Sequence, residues 1–179
     1  EEGTQPTPGG LTYPSEGAHT WVTEVIETDY YTGHQSNAAI IEESSYVRYP
    51  ITHTSESREY NVHPGGKAFD TMTTSGIPAF YGDFDGIEGW EGDSGKATVR
   101  VLGPTESEIT TEVAPEGTPV FWEEEVDLVN GTIRIGDGNL TSEIILPETT
   151  TFNTGDHFVF QFVFDGDSIV APLTSPAND

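Results

Sequence analysis

Phe158, Phe160, Phe162 and Phe164 recur at every second position of the stretch His157-Phe158-Val159-Phe160-Gln161-Phe162-Val163-Phe164. Successive side chains of a β-strand point to opposite faces, so these rings form one row. The other face holds His157, Val159, Gln161, Val163 and Asp165, a mixed set. A strand this apolar belongs at the centre of a core. Asp165-Gly166-Asp167 ends it, and Ser168-Ile169-Val170-Ala171-Pro172-Leu173 resumes it across a hairpin. A row of rings also suits a ligand cavity, but no convergent polar groups accompany it. The reading is therefore the spine of a filled barrel, with Trp122, Val99 and Val101 as further core residues alongside Phe158, Phe160, Phe162 and Phe164.

The rest of the chain supplies partners for such a strand. Residues 18–31 and 46–53 read as strands, the second demoted to an edge or bulge by Pro50. Residues 38–43 suit a helical turn or a strand. Residues 58–63 form a short strand before the turn Pro64-Gly65-Gly66, and 68–73 another. Residues 96–102 alternate Ala97, Val99 and Val101 with Lys96, Thr98 and Arg100, and Gly103-Pro104 is expected to end them. Strands at 108–113 and 119–129 follow. Asn130-Gly131 has the signature of a two-residue hairpin into 132–135. Asp137-Gly138 turns again before 142–146, and 147–155 is a loop. Turn-forming Gly and Pro are spread throughout. The pattern predicts an all-β chain, a single jelly-roll-like sandwich or barrel of about 8–10 strands. Residues 1–17, with Pro6, Pro8 and Pro14, read as an extended Pro/Gly-rich arm, either frayed or reaching over a neighbouring subunit. Residues 18–179 form the single β-barrel domain.

Charge sets the environment. The chain of 179 residues carries 31 Asp and Glu against 6 Lys and Arg, a formal net charge of −25. In dilute salt that charge strains a compact state by self-repulsion. In molar salt the Debye length falls to about 3 Å and the strain is screened. The acids are scattered rather than blocked, and aromatics reach 11%, unlike an acidic disordered tail. This reads as a folded protein adapted to high salt, the alternative being an ordinary acidic secreted domain. Six dispersed bases form no phosphate-binding patch, which excludes direct nucleic-acid binding. The absence of Cys excludes disulfides, thiolate metal sites and cysteine nucleophiles. No apolar run approaches the roughly 20 residues of a membrane helix. Asn130-Gly131-Thr132 and Asn139-Leu140-Thr141 match the glycan-acceptor pattern.

Residues 75–95 are the most loop-like interior stretch, with Phe80, Tyr81, Phe84 and Trp90 set between glycines. Such loops often carry function. Gly92-Asp93-Ser94-Gly95 matches the surroundings of the nucleophile in chymotrypsin-like proteases. His19, His34, His53, His63 and Asp70 precede it, as base and orienter would have to. Lys96 stands where that family has Gly, and the 63–94 interval is too short for its two-barrel fold. A Gly-rich turn is the better reading. Asp83, Asp85, Glu88, Glu91 and Asp93 crowd the loop, and oxygen-rich loops suit Ca²⁺. Asp83, Asp85 and Glu88 are the candidate ligands for a structural Ca²⁺ or other cation, although Gly86 is misplaced for an EF-hand. The His spacings fit no zinc motif. Trp21 and Trp90 suit core packing or loop anchoring better than carbohydrate stacking.

In length, acidity and strand-rich pattern over about residues 18–175, the chain resembles the smaller major capsid protein of haloarchaeal icosahedral viruses with an internal membrane. The resemblance implies an upright single β-barrel, no enzymatic activity and no cofactor. It further implies a virion location in high salt. The partners would be further copies in a homodimer or higher assembly and a second, larger capsid protein. Any membrane contact would be indirect. The arm at 1–17 or the end at 175–179 would reach neighbouring subunits. Other readings are a haloarchaeal surface or filament domain of pilin or archaellin type, a virus tail or spike domain, and a secreted carbohydrate-binding module or small hydrolase.

Overall fold

The structure, a computed structural model, describes residues 15–37, 43–57, 68–136, 155–178 and the backbone of 143–145. The elements are β1 (Gly17–Thr20), β2 (Glu24–Val25), β3 (His34–Gln35), β4 (Ser44–Val47), β5 (Thr52–Ser57), β6 (Asp70–Ser75), β7 (Gly86–Ile87), β8 (Trp90–Glu91), β9 (Lys96–Thr105), β10 (Val120–Asp127), β11 (Gly131–Gly136), β12 (Glu143–Ile145), β13 (His157–Phe164) and β14 (Leu173–Thr174). The fold is all-β, as the alternation predicts. Most of the arm, the stretches 38–42 and 58–67, and residues 137–142 and 146–154 lie outside the described residues. So do the expected strand at 58–63, the turn at 64–66, His63 and Asn139.

The chain divides into two compact units, Glu1–Arg48 and Tyr49–Asp179. In the first unit β1 pairs antiparallel with β4, and β2 with β3, so these strands satisfy one another locally. The expected strand over 46–53 splits, since Pro50 has no N–H for a ladder and falls between β4 and β5.

The second unit holds two four-stranded sheets, in the orders β10-β9-β13-β14 and β12-β11-β6-β5. The Phe strand β13 runs antiparallel to β9, with Phe160 opposite Val101 and Phe162 opposite Val99. Residues directly opposite share a face. That face is the core: Val99 and Val101 are fully enclosed, and Phe162 and Phe164 are buried. Phe158, Phe160 and Trp122 are half-buried. On the other sheet Met72 and Ile135 are enclosed, and β6 alternates buried Asp70, Met72 and Thr74 with more open residues. The His53 ring stacks on Phe162, with centroids 4.7 Å apart and planes at 18°, so the two core faces meet in a sandwich. This second core face is unusually polar. Ser55 donates to buried Asp70 at 2.7 Å, and His53 Nδ1 lies 3.3 Å from Thr74 Oγ1.

Three expected elements come out differently. First, β9 continues through Gly103-Pro104 to Thr105. Gly103 has φ +122°, and a Cβ there would stand 2.5 Å from the His157 carbonyl oxygen. Only glycine lets the backbone pass so close at the irregularity between His157 and Val159. Second, residues 108–113 form no strand. They cover the back of β9, where Ile109 packs with Leu102 and Ala177, and Ala177 N–H donates to the Glu112 carbonyl. Third, Asn130-Gly131 is not a hairpin turn. β10 and β11 belong to different sheets, so the chain crosses the sandwich there.

The back of the Phe strand is partly covered by the C-terminal segment, with Gln161 buried and Val159 and Val163 half-buried. Gln161, 1% exposed, accepts from Arg100 Nε and Nη2 and donates to the Ser175 carbonyl at 2.6 Å. The Ser175 hydroxyl accepts the Phe162 N–H. Every strong polar group that this mixed face brings inside therefore meets a partner.

Candidate functional site

The loop of residues 76–95 and the β13–β14 connection meet at Asp167. The hairpin signal Asp165-Gly166-Asp167 turns the chain, and Gly166 takes φ +84° where a Cβ would crowd Pro172. The turn aims Asp167 inward, 5% exposed. Its Oδ1 accepts the N–H groups of Ile169 and Val170 at 2.9 and 2.8 Å. Its Oδ2 accepts the Tyr81 hydroxyl at 2.6 Å and the Ser94 N–H at 3.2 Å. Burial alone would raise the Asp167 pKa. The hydrogen bonds from Tyr81, Val170, Ile169 and Ser94 outweigh it and hold the carboxyl below the usual carboxylate range. Tyr81 goes the other way: burial and its bond to the Asp167 carboxylate push its phenol up. Tyr81 also accepts the Gly95 N–H at 3.2 Å. The far side of the connection is tied to Tyr49, which donates to the Ile169 carbonyl and accepts from Ala171.

Asp93 performs the same service within the loop. Its Oδ2 accepts the N–H groups of Gly82 and Phe84 at 2.7 and 3.2 Å, and its own N–H donates to the Phe84 carbonyl. Asp93 Oδ1 is enclosed and has no hydrogen-bond partner among the described residues. Gly92-Asp93-Ser94-Gly95 is thus a knot of backbone bonds. Ser94 Oγ lies 3.5 Å from the Tyr81 hydroxyl. Of the histidines considered as a base, His53 is stacked on Phe162, His19 Nε2 donates to the Ser15 carbonyl, and His34 lies on β3. Asp70 is engaged by Ser55 and Ser57. Among the described residues of the second unit, no base and orienter are assembled beside Ser94.

The cation candidates Asp83, Asp85 and Glu88 all stand exposed, as does Glu91. Among the described residues no three His, Asp or Glu side chains converge as a metal requires. Trp90 is half-buried in β8, whereas Trp21 is 42% exposed in the first unit. Phe80, also exposed, meets Tyr49 edge-on at 5.7 Å. Beside the Asp167 anchor runs an open groove of about 190 Å³, lined by Ser94, Lys96, Thr98, Glu125, Val163 and Asp165 among others. Small-molecule sites commonly enclose about 300–1,000 Å³. Lys96, the cation in the groove, is paired with Asp127 at 2.8 Å and Glu125 at 3.8 Å.

Sequence reasoning read Asn130 as a hairpin-turn residue and a glycan acceptor, not as a clamp. Its side-chain oxygen accepts the Ile77 N–H at 3.0 Å, and its amide donates to the Ile77 carbonyl at 2.7 Å. It clamps the start of the loop to the crossing point between sheets. Replacing Asn130 with alanine is expected to lower stability by about 1–2 kcal/mol, through two hydrogen bonds lost at a half-open site. Urea titration measures this, and an unchanged midpoint would show the clamp to be dispensable.

The first unit offers a different kind of surface. Among its described residues, 15–37 and 43–48, none is buried. Its β2–β3 hairpin is closed by a turn in which Thr28 and Tyr31 exchange backbone hydrogen bonds. The hairpin exposes Trp21, Val22, Val25, Ile26, Tyr30 and Tyr31, with Tyr30 at 90% and Ile26 at 76%. No family model, curated protein or solved structure matches the chain.

Proposed function

We propose that this chain is a structural subunit of a virus particle in a high-salt environment. It is a jelly-roll-like β-domain that builds capsomers through protein–protein contacts, with further copies of itself and a larger capsid protein as partners. The observation that carries this reading is the exposure of the first unit's described residues. Residues 15–37 and 43–48 fold into short strand pairs, include no buried side chain and display large apolar groups, as in a segment completed by neighbours. The polar groups of the 76–95 loop fit the same role. Asp93, Tyr81 and Asp167 are engaged in holding the loop, as in a scaffold whose loops must keep one shape. The charge of −25 suits a surface that stays soluble at molar salt. The β10 edge bears Glu123, Glu124, Glu125 and Asp127, a run that blocks unplanned strand addition.

Fractionation of the producing culture in molar salt tests the reading. The chain is expected in sedimenting particles, visible in micrographs as closed shells. Recovery solely in the non-sedimenting fraction would remove the capsid reading. The salt adaptation has its own test. Lowering salt from molar to about 0.1 M lengthens the Debye length from about 3 to 10 Å. Each kcal/mol of repulsion so released lowers Tm by about 2–4 °C for a chain this long. A melting temperature unchanged between the two salts would refute adaptation to high salt.

A further inference from the structure

We infer that Asn130-Gly131 is a self-modification site, where Asn130 deamidates through a cyclic imide at a rate set by opening of the 76–95 loop. It is the single Asn-Gly pair in the chain. The reaction needs the backbone nitrogen of the following residue to reach the asparagine side-chain carbon. Glycine, with no side chain, obstructs that approach least. Gly131 has φ +143°, and a Cβ there would meet nothing within 4 Å, so the space beside it is open. Asn130 and Gly131 both stand exposed, which gives water access.

The clamp on Ile77 holds the reaction back. Asn130 Oδ1 accepts the Ile77 N–H at 3.0 Å, and Nδ2 donates to the Ile77 carbonyl at 2.7 Å. The carboxamide is thereby fixed to a residue 53 positions away in the chain rather than to its own neighbour. Ring closure turns the side chain back on its own backbone and breaks both bonds. Ile77 is buried, at 8% exposure, and does not follow the side chain outward. Two hydrogen bonds at a half-open site reduce the reactive population by a factor of about 5–30. The Leu128 N–H donates to the Gly95 carbonyl at 2.9 Å, so residues 128–130 fasten both ends of the loop. The state of Asn130 therefore reports on the loop.

In the released form the Gly131 nitrogen gives its proton to hydroxide and bonds to Asn130 Cγ. The Cγ–Nδ2 bond breaks, and the nitrogen leaves as ammonia with a proton from water. Water then adds to one imide carbonyl and breaks that carbon's bond to the Gly131 nitrogen. Attack at Cγ leaves an aspartyl residue. Attack at the backbone carbonyl leaves an isoaspartyl residue, in which the chain runs through the side chain into β11. Water is consumed and ammonia released, with no change of oxidation state. The product carboxylate has no N–H for the Ile77 carbonyl and sets an anionic oxygen against it. The clamp cannot re-form, so the step is a one-way loss of the fastening at the Ile77 end.

Timed incubation of the purified full chain in molar salt at mildly alkaline pH, followed by peptide mapping in a mass spectrometer, tests this. Product at residue 130 is expected to accumulate about 5–30-fold more slowly in the folded chain than in the chain unfolded by urea in the same buffer. Equal rates would show that the clamp gives no protection. A folded chain slower by about a thousandfold or more, the range of global unfolding, would show that loop opening does not expose the site. Either result overturns the inference. The effect of the product is read separately. Asn130→Asp is expected to be nicked by protease within residues 76–95 several-fold faster than the wild type, with its circular dichroism unchanged. Nicking at the wild-type rate would overturn the coupling of the modification to the loop. None of these outcomes depends on whether the chain assembles into particles.

Discussion

Replacing Phe162 with alanine is expected to remove about 3–5 kcal/mol of folding stability, the range for a fully buried aromatic ring. At about 2–4 °C per kcal/mol, that is a fall in Tm of about 6–20 °C. Phe162 is 1% exposed, sits opposite Val99 on β9, and carries the His53 ring of the facing sheet on its own. Truncation therefore opens a cavity where the two sheets stack aromatic on aromatic. The stacked pair adds about 0.5–1.5 kcal/mol beyond area. Phe158→Ala and Phe160→Ala are expected to cost about half as much, since both rings are half-buried and Phe158 rests edge-on against Phe121 at 5.1 Å. Chemical denaturation of the three variants gives the order. A loss below about 1 kcal/mol at Phe162 would contradict its place in the core.

Asp167→Ala is the second large effect, expected at about 3–4 kcal/mol, because hydrogen bonds to a charged acceptor contribute about 1.5–3 kcal/mol each and not all survive as water contacts. It strips an acceptor from Tyr81, Ser94, Ile169 and Val170 together. The loop of residues 76–95 is then expected to loosen while the sheets persist. Proteolytic nicking within 76–95 reads that directly.

The same site gives a signed pH dependence. The folded Asp167 pKa lies below its unfolded value of about 3.9. Its contribution is complete above that unfolded value and is lost as pH falls through the lowered folded one. Tyr81 is shifted upward, so its contribution is complete below about pH 10 and is lost as pH rises through its raised value. Thermal melts between pH 2 and 5 are expected to show an acid loss that Asp167→Asn flattens. An identical acid limb in wild type and variant would mean that other carboxylates set it.

Much of the fold was legible from period alone. Phe158 to Phe164 and Ala97 to Val101 alternate strictly, and both segments are strands paired with each other. Residues 108–113 misled because β-formers in a short polar run do not say whether a ladder partner is at hand. Ile109 instead reaches the back of β9 as a single anchor. Asn130-Gly131 misled because the dipeptide does not say whether the strand after it pairs with the strand before it, and β10 and β11 lie in different sheets. Gly103-Pro104 looked like a stop, since the glycine's freedom serves a bulge as well as a turn.

The anchor was half legible. Asp165-Gly166-Asp167 marked a turn, and Asp93 a Gly-rich knot, but neither shows on its own that Asp167 receives Tyr81 from 86 positions away in the chain. Likewise the six apolar residues of 21–31 read as ordinary strand material, and exposure is a property of what surrounds them.

The sequence by itself determined the strand class, the Phe-bearing core face and the acid surface, because alternation and charge are local and additive. The tertiary structure decided which strands share a sheet, which face of β13 meets His53 and which is covered by residues 175–178. It also decided that Asp167 is a fastening point and that, among the described residues, the apolar side chains of the β2–β3 hairpin stand exposed. These depend on contacts between residues far apart in the chain, whose geometry no window of sequence contains.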